Sequence, residues 1–112
     1  MPSLKPIEFR GVALDDLRRF PGTARRQAGF QLDQVQRGRQ PDDWKPMSSV
    51  GPGVIEIRIR DESGAFRVLY VAKFERAVYV LHCFQKKTQK TGKADLDLAR
   101  QRYRDLLKEL NR

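Results

Sequence analysis

Strict alternation of apolar and charged residues marks the centre of this chain. Isoleucines at every second position are separated by charged side chains, in the order Ile55, Glu56, Ile57, Arg58, Ile59 and Arg60. This period of two is typical of a strand with one buried face. Two further β-branched and aromatic runs follow, Phe66–Phe74 and Ala77–Gln85, after the turn residues Asp61–Gly64 and the polar pair Glu75–Arg76. The pattern predicts three consecutive antiparallel strands, a β-meander.

Tight turns around Glu62-Ser63 and Glu75-Arg76 would set the register of this meander. Arg67 would then face Arg58 on one side and Phe84 on the other. One face is expected to be apolar and to carry Ile55, Ile57, Ile59, Phe66, Val68, Tyr70, Tyr79, Leu81 and Cys83. The opposite face is expected to be polar and to carry Glu56, Arg58, Arg60, Arg67, His82, Phe84 and Lys86.

The predicted pairing of Arg58 with Arg67 points to an anionic ligand. Like charges directly opposite each other on neighbouring strands cost roughly a few tenths to 1 kcal/mol. A phosphate would relieve this repulsion, because guanidinium groups match its oxygens in geometry and charge. The alternative is that both arginines extend into water. We expect Arg58, Arg67, His82 and Lys86 to emerge together on the uncovered side of one curled sheet.

The charge balance also favours a polyanionic partner. The chain of 112 residues has 23 Lys and Arg against 14 Asp and Glu, a formal net charge of +9. Nucleic acid is the first candidate, and an acidic protein or an anionic membrane the second. Neither a membrane-spanning run nor a signal peptide is recognisable. One His and one Cys make a zinc site improbable, so we expect no metal or cofactor, a cytoplasmic location and a single domain over residues 1–112.

Two helices are predicted between a short edge strand, Ile7–Arg10, and the meander. The first is Leu14–Phe20, with two aspartates in its first turn. The second opens at Pro21 and ends at Gly38. Its residues to be buried fall on one stripe: Ala24, Ala28, Leu32 and Val35. Such a helical hairpin can cover one face of a sheet.

The remaining segments are a loop, a basic run and a terminal helix. The proline-rich stretch Arg39–Gly53 predicts a loop whose Trp44 and Met47 pack onto the body. The polar run Gln85–Lys93 contains four lysines, which suit sugar-phosphate contact or simple solvation. Apolar residues then recur at spacings of three and four: Leu96, Ala99, Tyr103, Leu106 and Leu110. This stripe predicts an amphipathic helix that closes the domain or meets a partner helix.

Common nucleotide-binding and hydrolase motifs are absent: there is no Walker loop, GxGxxG, GxSxG or HExxH. The residues that remain are chemically sufficient for RNA cleavage. The candidate catalytic residues are Arg67, Lys86, His82, Arg58 and Glu56. The candidate RNA-binding residues are Arg60, Phe84, Lys87, Lys90 and Lys45.

Cleavage by the RNA 2′-hydroxyl needs three functions from these side chains. The hydroxyl must lose its proton, the charge developing on the phosphorus must be stabilised, and the leaving 5′-oxygen must be protonated. Arginines and lysines supply the second function, and His82 can act as acid or base. Glu56 is either a base or the ion-pair partner of Arg58 or Arg67. Phe84 is positioned to stack on a nucleobase.

Three stretches carry a family resemblance: DDWKPM at Asp42–Met47, EIRIRDESGAFRVLYVAKF at Glu56–Phe74 and YVLHCFQKKTQKT at Tyr79–Thr91. With the order of the elements, they resemble the RelE/ParE toxin superfamily, and in particular its HigB-like, phage-derived branch. The resemblance implies an α+β, RelE-like fold: a mostly antiparallel curled sheet with an N-terminal strand, a helical hairpin and a C-terminal helix. It also implies the toxin of a type II toxin–antitoxin pair. Characterised RelE-like toxins cleave mRNA in the ribosomal A site without a metal, leaving a 2′,3′-cyclic phosphate.

The resemblance assigns roles residue by residue. Arg67 matches the arginine that stabilises the transition state, and Arg58 and Lys86 match basic residues on the preceding strand and after the last strand. Glu56 departs from the pattern, since RelE has a lysine there, and the tyrosine of RelE falls near Gly92. Two other residues offer substitutes for proton transfer: His82 and Lys87.

The partners implied are an antitoxin, expected to be an acidic helix-turn-helix protein, together with the ribosome and mRNA. Two alternatives to an endoribonuclease remain. One is a non-catalytic, ParE-like inhibitor of DNA gyrase on the same fold. The other is a basic nucleic-acid-binding module without toxicity.

Overall fold

A computed structural model describes residues 4–87 and 90–111 of the chain. Its elements in chain order are β1 (Ile7–Phe9), α1 (Ala13–Arg18), α2 (Gly22–Gln36), β2 (Trp44–Pro46), β3 (Val54–Asp61), β4 (Gly64–Val71), β5 (Val78–Lys86) and α3 (Lys93–Leu110). The strands form one five-stranded sheet in the order β1-β5-β4-β3-β2. Only the pair β1–β5 is parallel. The predicted α+β architecture, with a meander, a helical hairpin and a C-terminal helix, is confirmed.

The first hairpin of the meander has the predicted register. Asp61 pairs with Gly64 across the turn, and Arg58 pairs with Arg67. Gly64 has a φ of +133°, a backbone conformation that favours glycine. The local turn chemistry was therefore sufficient to align β3 with β4.

The second hairpin follows the predicted register over only part of its length. Arg67 pairs with Phe84 and Leu69 with His82, as expected, but the next pair is Tyr70 with Val80. One extra residue on β5, a β-bulge, shifts the register at this point. The predicted tight turn is also wrong, since β4 ends at Val71 and β5 begins at Val78.

The bulge corrects the predicted assignment of two residues to the apolar face of the sheet. Tyr79 and Leu81 were expected beside the isoleucines of β3, but both pack in a second cluster on the other side. Because side chains alternate with a period of two, one inserted residue inverts the face of everything beyond it. Val78 and Val80 therefore take the positions under the helical hairpin.

The sheet has a core on each face. On one side α1 and α2 pack on the sheet, with the predicted stripe of α2 buried: Ala24, Ala28, Leu32 and Val35. On the other side α3 buries Ala99, Tyr103 and Leu106 against Leu69 and Val71. The predicted role of α3 in closing the domain is confirmed. The expectation of an uncovered second face is wrong where α3 lies, and only the part beyond α3 is open to form a site.

A glycine ends α2, and the segment after it is only partly the loop that was predicted. Gly38 has a φ of +84°, and its N–H donates to the carbonyl of Val35, a stop that glycine favours. The segment predicted to be a loop contains a short edge strand, β2, paired with β3. Met47 is buried as expected, whereas Trp44 is 36 % exposed and the prediction that it packs is wrong.

Thr88 and Gln89 of the predicted basic run lie outside the described residues. Within residues 4–87 and 90–111, no helix is long and apolar enough to cross a membrane.

Candidate active site

The candidate site is built around the carboxylate of Glu56, which is completely buried. Its Oε1 atom lies 3.5 Å from Arg67 Nε, 3.9 Å from Lys45 Nζ and 4.0 Å from Arg58 Nε. Its Oε2 atom accepts a 3.0 Å hydrogen bond from the hydroxyl of Thr91. We call Glu56, Lys45, Arg58 and Arg67 the arginine cluster. Three cations thus share one carboxylate, so the cluster carries a net positive charge.

Strand register explains why these side chains meet. Lys45 on β2 pairs with Glu56 on β3, and Arg58 on β3 pairs with Arg67 on β4. Glu56 and Arg58 are two residues apart on one strand and therefore project from the same face. The pattern of β3 predicted this face, and the pairing with β2 adds Lys45.

Arg67 is the most constrained cation of the cluster, with 4 % of its surface exposed. Its Nη1 donates a 3.0 Å hydrogen bond to the carbonyl of Phe66. Its Nε has no hydrogen-bond partner among the described residues. Burial lowers the pKa of Arg67, the charge of Glu56 opposes this, and the charges of Arg58 and Arg60 lower the pKa further. Arginine remains charged in proteins nonetheless, so a positive group is fixed at this position.

Arg67 opens onto solvent through a cleft of ≈ 260 Å³. The cleft is lined by Asp43, Arg58, Ile59, Arg60 and Arg67. Arg60, one of the predicted RNA-binding residues, is exposed at its edge. Three guanidinium groups facing one cleft make it suitable for a phosphate, which accepts bidentate hydrogen bonds.

Lysines form a second group next to the arginine cluster. Lys86, Lys87 and Lys90 line a cavity of ≈ 310 Å³ together with Phe84 and Asp95. The pKa of Lys86 is lowered, first by desolvation and then by the charge of Arg67. Lys86 therefore connects the two groups, and the lowered pKa favours its neutral amine relative to that of a free lysine.

His82 is not exposed on an open face, contrary to the prediction. It is 5 % exposed and lies beneath α3, where its Nε2 is 2.7 Å from Asp95 Oδ1. Arg102 Nη1 lies 3.5 Å from Nδ1 and also donates to the carbonyl of Leu81 at 2.9 Å. Because arginine can only donate, Nδ1 must accept and Nε2 carries the proton that Asp95 accepts. The recorded polar contacts of His82 are thus with α3.

Phe84 is tied to this histidine. Its ring stacks on His82 with a centroid separation of 4.8 Å and an interplanar angle of 21°. Phe84 is 8 % exposed, so only a small part of its ring is available to a nucleobase.

Sequence reasoning did not single out three residues that hold the site together: Thr91, Asp95 and Arg102. Thr91 binds Glu56, and the other two hold His82. Asp95 and Arg102 are seven positions apart, so a helix places them on one face, which was the available signal. Nothing in the sequence indicated that this face of α3 would meet His82.

A family model described as phage-derived protein Gp49-like matches residues 15–104. The chain belongs to this Gp49-like family. No curated protein matches the chain.

The Gp49-like protein also has the fold of a solved toxin. A double arginine-to-alanine mutant of Escherichia coli toxin RelE in the free state aligns with a TM-score of 0.64. The alignment covers 93 % of this chain and 99 % of that chain at 16 % sequence identity. The superfamily prediction is confirmed, while the assignment to the HigB-like branch stays a prediction.

The Gp49-like protein offers no cluster of three or more His, Cys, Asp or Glu side chains suited to a metal within its described residues. Cys83 is buried, and desolvation raises the pKa of its thiol to about 12. A buried thiol of this kind is not a nucleophile at neutral pH.

Proposed function

We propose that this Gp49-like protein is the toxin of a type II toxin–antitoxin system and that it cleaves mRNA on the ribosome. Family membership and the RelE-like fold support a toxin. The observation that carries the cleavage proposal is the guanidinium of Arg67, which is held by Glu56 and lines a cleft together with two further arginines.

In the proposed reaction the 2′-hydroxyl attacks the adjacent phosphorus and the 5′-oxygen leaves. Arg58 and Arg67 stabilise the charge that develops on the phosphoryl oxygens, because they are held in place before the substrate arrives. Lys86 is the proposed proton-transfer group, since it adjoins the cluster and its pKa is lowered. Its neutral amine takes the proton of the 2′-hydroxyl as the new bond to phosphorus forms, and gives that proton to the 5′-oxygen as the bond from phosphorus to this oxygen breaks. The lysines after β5, Lys87 and Lys90, and Arg60 are proposed to hold the RNA backbone.

Glu56 and His82 take positioning roles in this proposal. Glu56 is inaccessible to a 2′-hydroxyl, because it is fully buried, and it holds Arg67 in place instead. His82 holds Phe84 by ring stacking and holds α3 through Asp95. Neither side chain then needs to exchange a proton with the substrate.

The test is mRNA cleavage during in vitro translation, mapped by primer extension. Lys86→Ala and Arg58→Ala are the informative variants, because both side chains are partly exposed and their removal leaves no buried charge unpaired. Each should lower the cleavage rate by about 100-fold or more. Arg104→Ala, an exposed cation on α3, is the matched control and should retain full activity.

Full cleavage activity in both folded variants would refute the proposed mechanism. Cleavage of the same mRNA without ribosomes would refute ribosome dependence. A DNA gyrase supercoiling assay with the same protein tests the ParE-like alternative, since an inhibitor of that kind would block supercoiling and leave mRNA intact.

A further inference from the structure

A cavity of ≈ 480 Å³ lies on the helical-hairpin side of the sheet, where the end of α2 meets β3 and β4. Its lining includes Ile55 of β3 and Tyr70 of β4, which pack with the α1–α2 core. Side chains alternate along β3, so Ile55 and Glu56 point to opposite faces. The cavity is therefore separated from the arginine cluster by the sheet, and the proposed cleavage reaction does not use it.

The floor of this cavity is aliphatic. Val35, Ile55 and Ala72 contribute to it, and Tyr70 is only 3 % exposed. Gly38 and Gly53 form part of the wall; the backbone of Gly38 is open, whereas the aliphatic stem of Lys73 packs over Gly53. A Cβ atom at Gly38 would meet nothing within 4 Å. Ile55 and Ala72 are partly exposed, so the floor can accept an aliphatic side chain, whereas Tyr70 presents almost no surface on which a nucleobase could stack.

The rim of the cavity is basic. Four cations line it: Lys5, Arg37, Arg39 and Lys73. Arg37 is neutralised by Asp33, with Nε and Oδ2 2.9 Å apart. The other three bind neutral groups, namely the carbonyl of Ala72, the side-chain amide of Gln34 and the ring of Phe74. Among the described residues, no Asp or Glu lines the cavity.

We propose that this cavity is the docking site of an acidic segment of a partner protein. The segment would insert one aliphatic side chain against Val35, Ile55 and Ala72, and its carboxylates would pair with Lys5, Arg39 and Lys73. The aliphatic floor selects a polypeptide over RNA, which needs stacking surfaces for its bases. That the partner is the antitoxin rests on the proposed toxin function. An antitoxin docked here holds the toxin from the side of the sheet opposite the arginine cluster.

The probe for this site is an acetylated and amidated pentapeptide of sequence EELEE, titrated into ¹⁵N-labelled protein and followed by NMR. The amides of Gly38, Gly53 and Ala72 should shift in a saturable manner. Replacing the leucine of the peptide by serine should weaken binding about tenfold or more, because the buried aliphatic contact is lost. Shifts confined to residues outside the cavity, or no shift at millimolar peptide, would overturn the proposal.

Charge reversal at the rim provides the matched comparison. The double variant Arg39→Glu with Lys73→Glu should weaken peptide binding at least tenfold. The control, Arg25→Glu with Arg104→Glu, changes the net charge equally at exposed positions away from the cavity and should bind within twofold of the parent. Equal weakening in both would show that net charge alone attracts the peptide, and the proposal would fail.

Other occupants give distinct results. An oligouridylate that shifts the same amides at lower concentration than the peptide would identify a nucleic-acid site and refute the proposed peptide site. Concentration-dependent shifts of these amides without ligand would identify a second copy of the chain. The rim variant should retain mRNA cleavage. If the peptide fails to bind while the parent protein cleaves mRNA and Lys86→Ala does not, only the docking proposal is wrong. If instead the parent protein binds the peptide but does not cleave mRNA, only the cleavage proposal is wrong.

Discussion

Replacing Glu56 by glutamine tests whether the buried carboxylate holds the arginine cluster together. Glu56 is completely buried, and Arg67, its nearest cation at 3.5 Å, is 4 % exposed. At that separation and an effective dielectric constant near 20, the attraction is about 5 kcal/mol. Loss of one partner of a buried ion pair typically costs about 3–5 kcal/mol. Glu56→Gln should therefore lower the free energy of unfolding by about 3–5 kcal/mol, a large share of the roughly 5–15 kcal/mol available to a small domain.

Removal of the other partner, Arg67, should lower the free energy of unfolding by less than Glu56→Gln does, which makes the prediction specific. In Arg67→Met the carboxylate of Glu56 keeps Lys45, Arg58 and the hydroxyl of Thr91. In Glu56→Gln, by contrast, Arg67 keeps the hydrogen bond to the carbonyl of Phe66 and the weaker attraction of Asp43, and still faces Arg58 and Arg60. The double variant Glu56→Leu with Arg67→Met removes both charges and should recover most of the stability.

Urea unfolding of the four proteins, with a constant m-value as the check on two-state behaviour, measures these differences. The reasoning is refuted if Glu56→Gln unfolds within about 1 kcal/mol of the parent, because the carboxylate would then be solvated rather than buried among cations. Equal costs for the two single variants would refute the proposed asymmetry. In that case Lys45 and Arg58 would not compensate Glu56.

Three further outcomes are expected. Burial raises the pKa of Cys83 and of Tyr70 to about 12, above their ordinary values of 9.0 and 10.0. Both groups are kept neutral in the folded state, so their contribution to stability should be constant below about pH 9 and should be lost as the pH rises from 9 towards 12, as urea midpoints across that alkaline range would show. Gly38→Ala should destabilise the protein by about 1 kcal/mol because of the φ of +84°, whereas Gly29→Ala, in the open middle of α2, should stabilise it by a similar amount. Thermal unfolding measures both effects, and equal effects would contradict the different backbone conformations of the two glycines. Asp95→Ala removes the hydrogen-bond acceptor of His82, so hydrogen exchange of the backbone amides in the first turns of α3 should become about fivefold faster. Unchanged exchange would show that this hydrogen bond does not anchor the helix.

Much of the fold could be predicted from local patterns. The alternation in β3 and the residues of the Asp61–Gly64 turn determined the first hairpin and with it the pairing of Arg58 with Arg67. The stripe of α2 and its glycine stop were also recognisable, because helix periodicity and a positive φ are properties of a few neighbouring residues. The arginine-bearing face of the sheet was predictable for the same reason.

The composition of the candidate site could be predicted only in part. The strand pattern indicated that Glu56, Arg58 and Arg67 share a face, but not that Glu56 would be inaccessible at the centre of three cations. Lys45 joined the cluster because a short strand formed within a segment expected to be a loop. Edge strands of three residues have almost no periodicity of their own, so their pairing is decided by the partner strand.

By itself the sequence determined the three strands of the meander, the helices, the net charge of +9 and the set of residues available for chemistry. Only the tertiary structure decided the bulge that placed Tyr79 and Leu81 on the side of α3, and the burial of His82 beneath that helix. The physical reason is the range of the interactions. Turns and amphipathic stripes depend on residues a few positions apart, whereas a bulge and the docking of a helix depend on how distant surfaces fill one core.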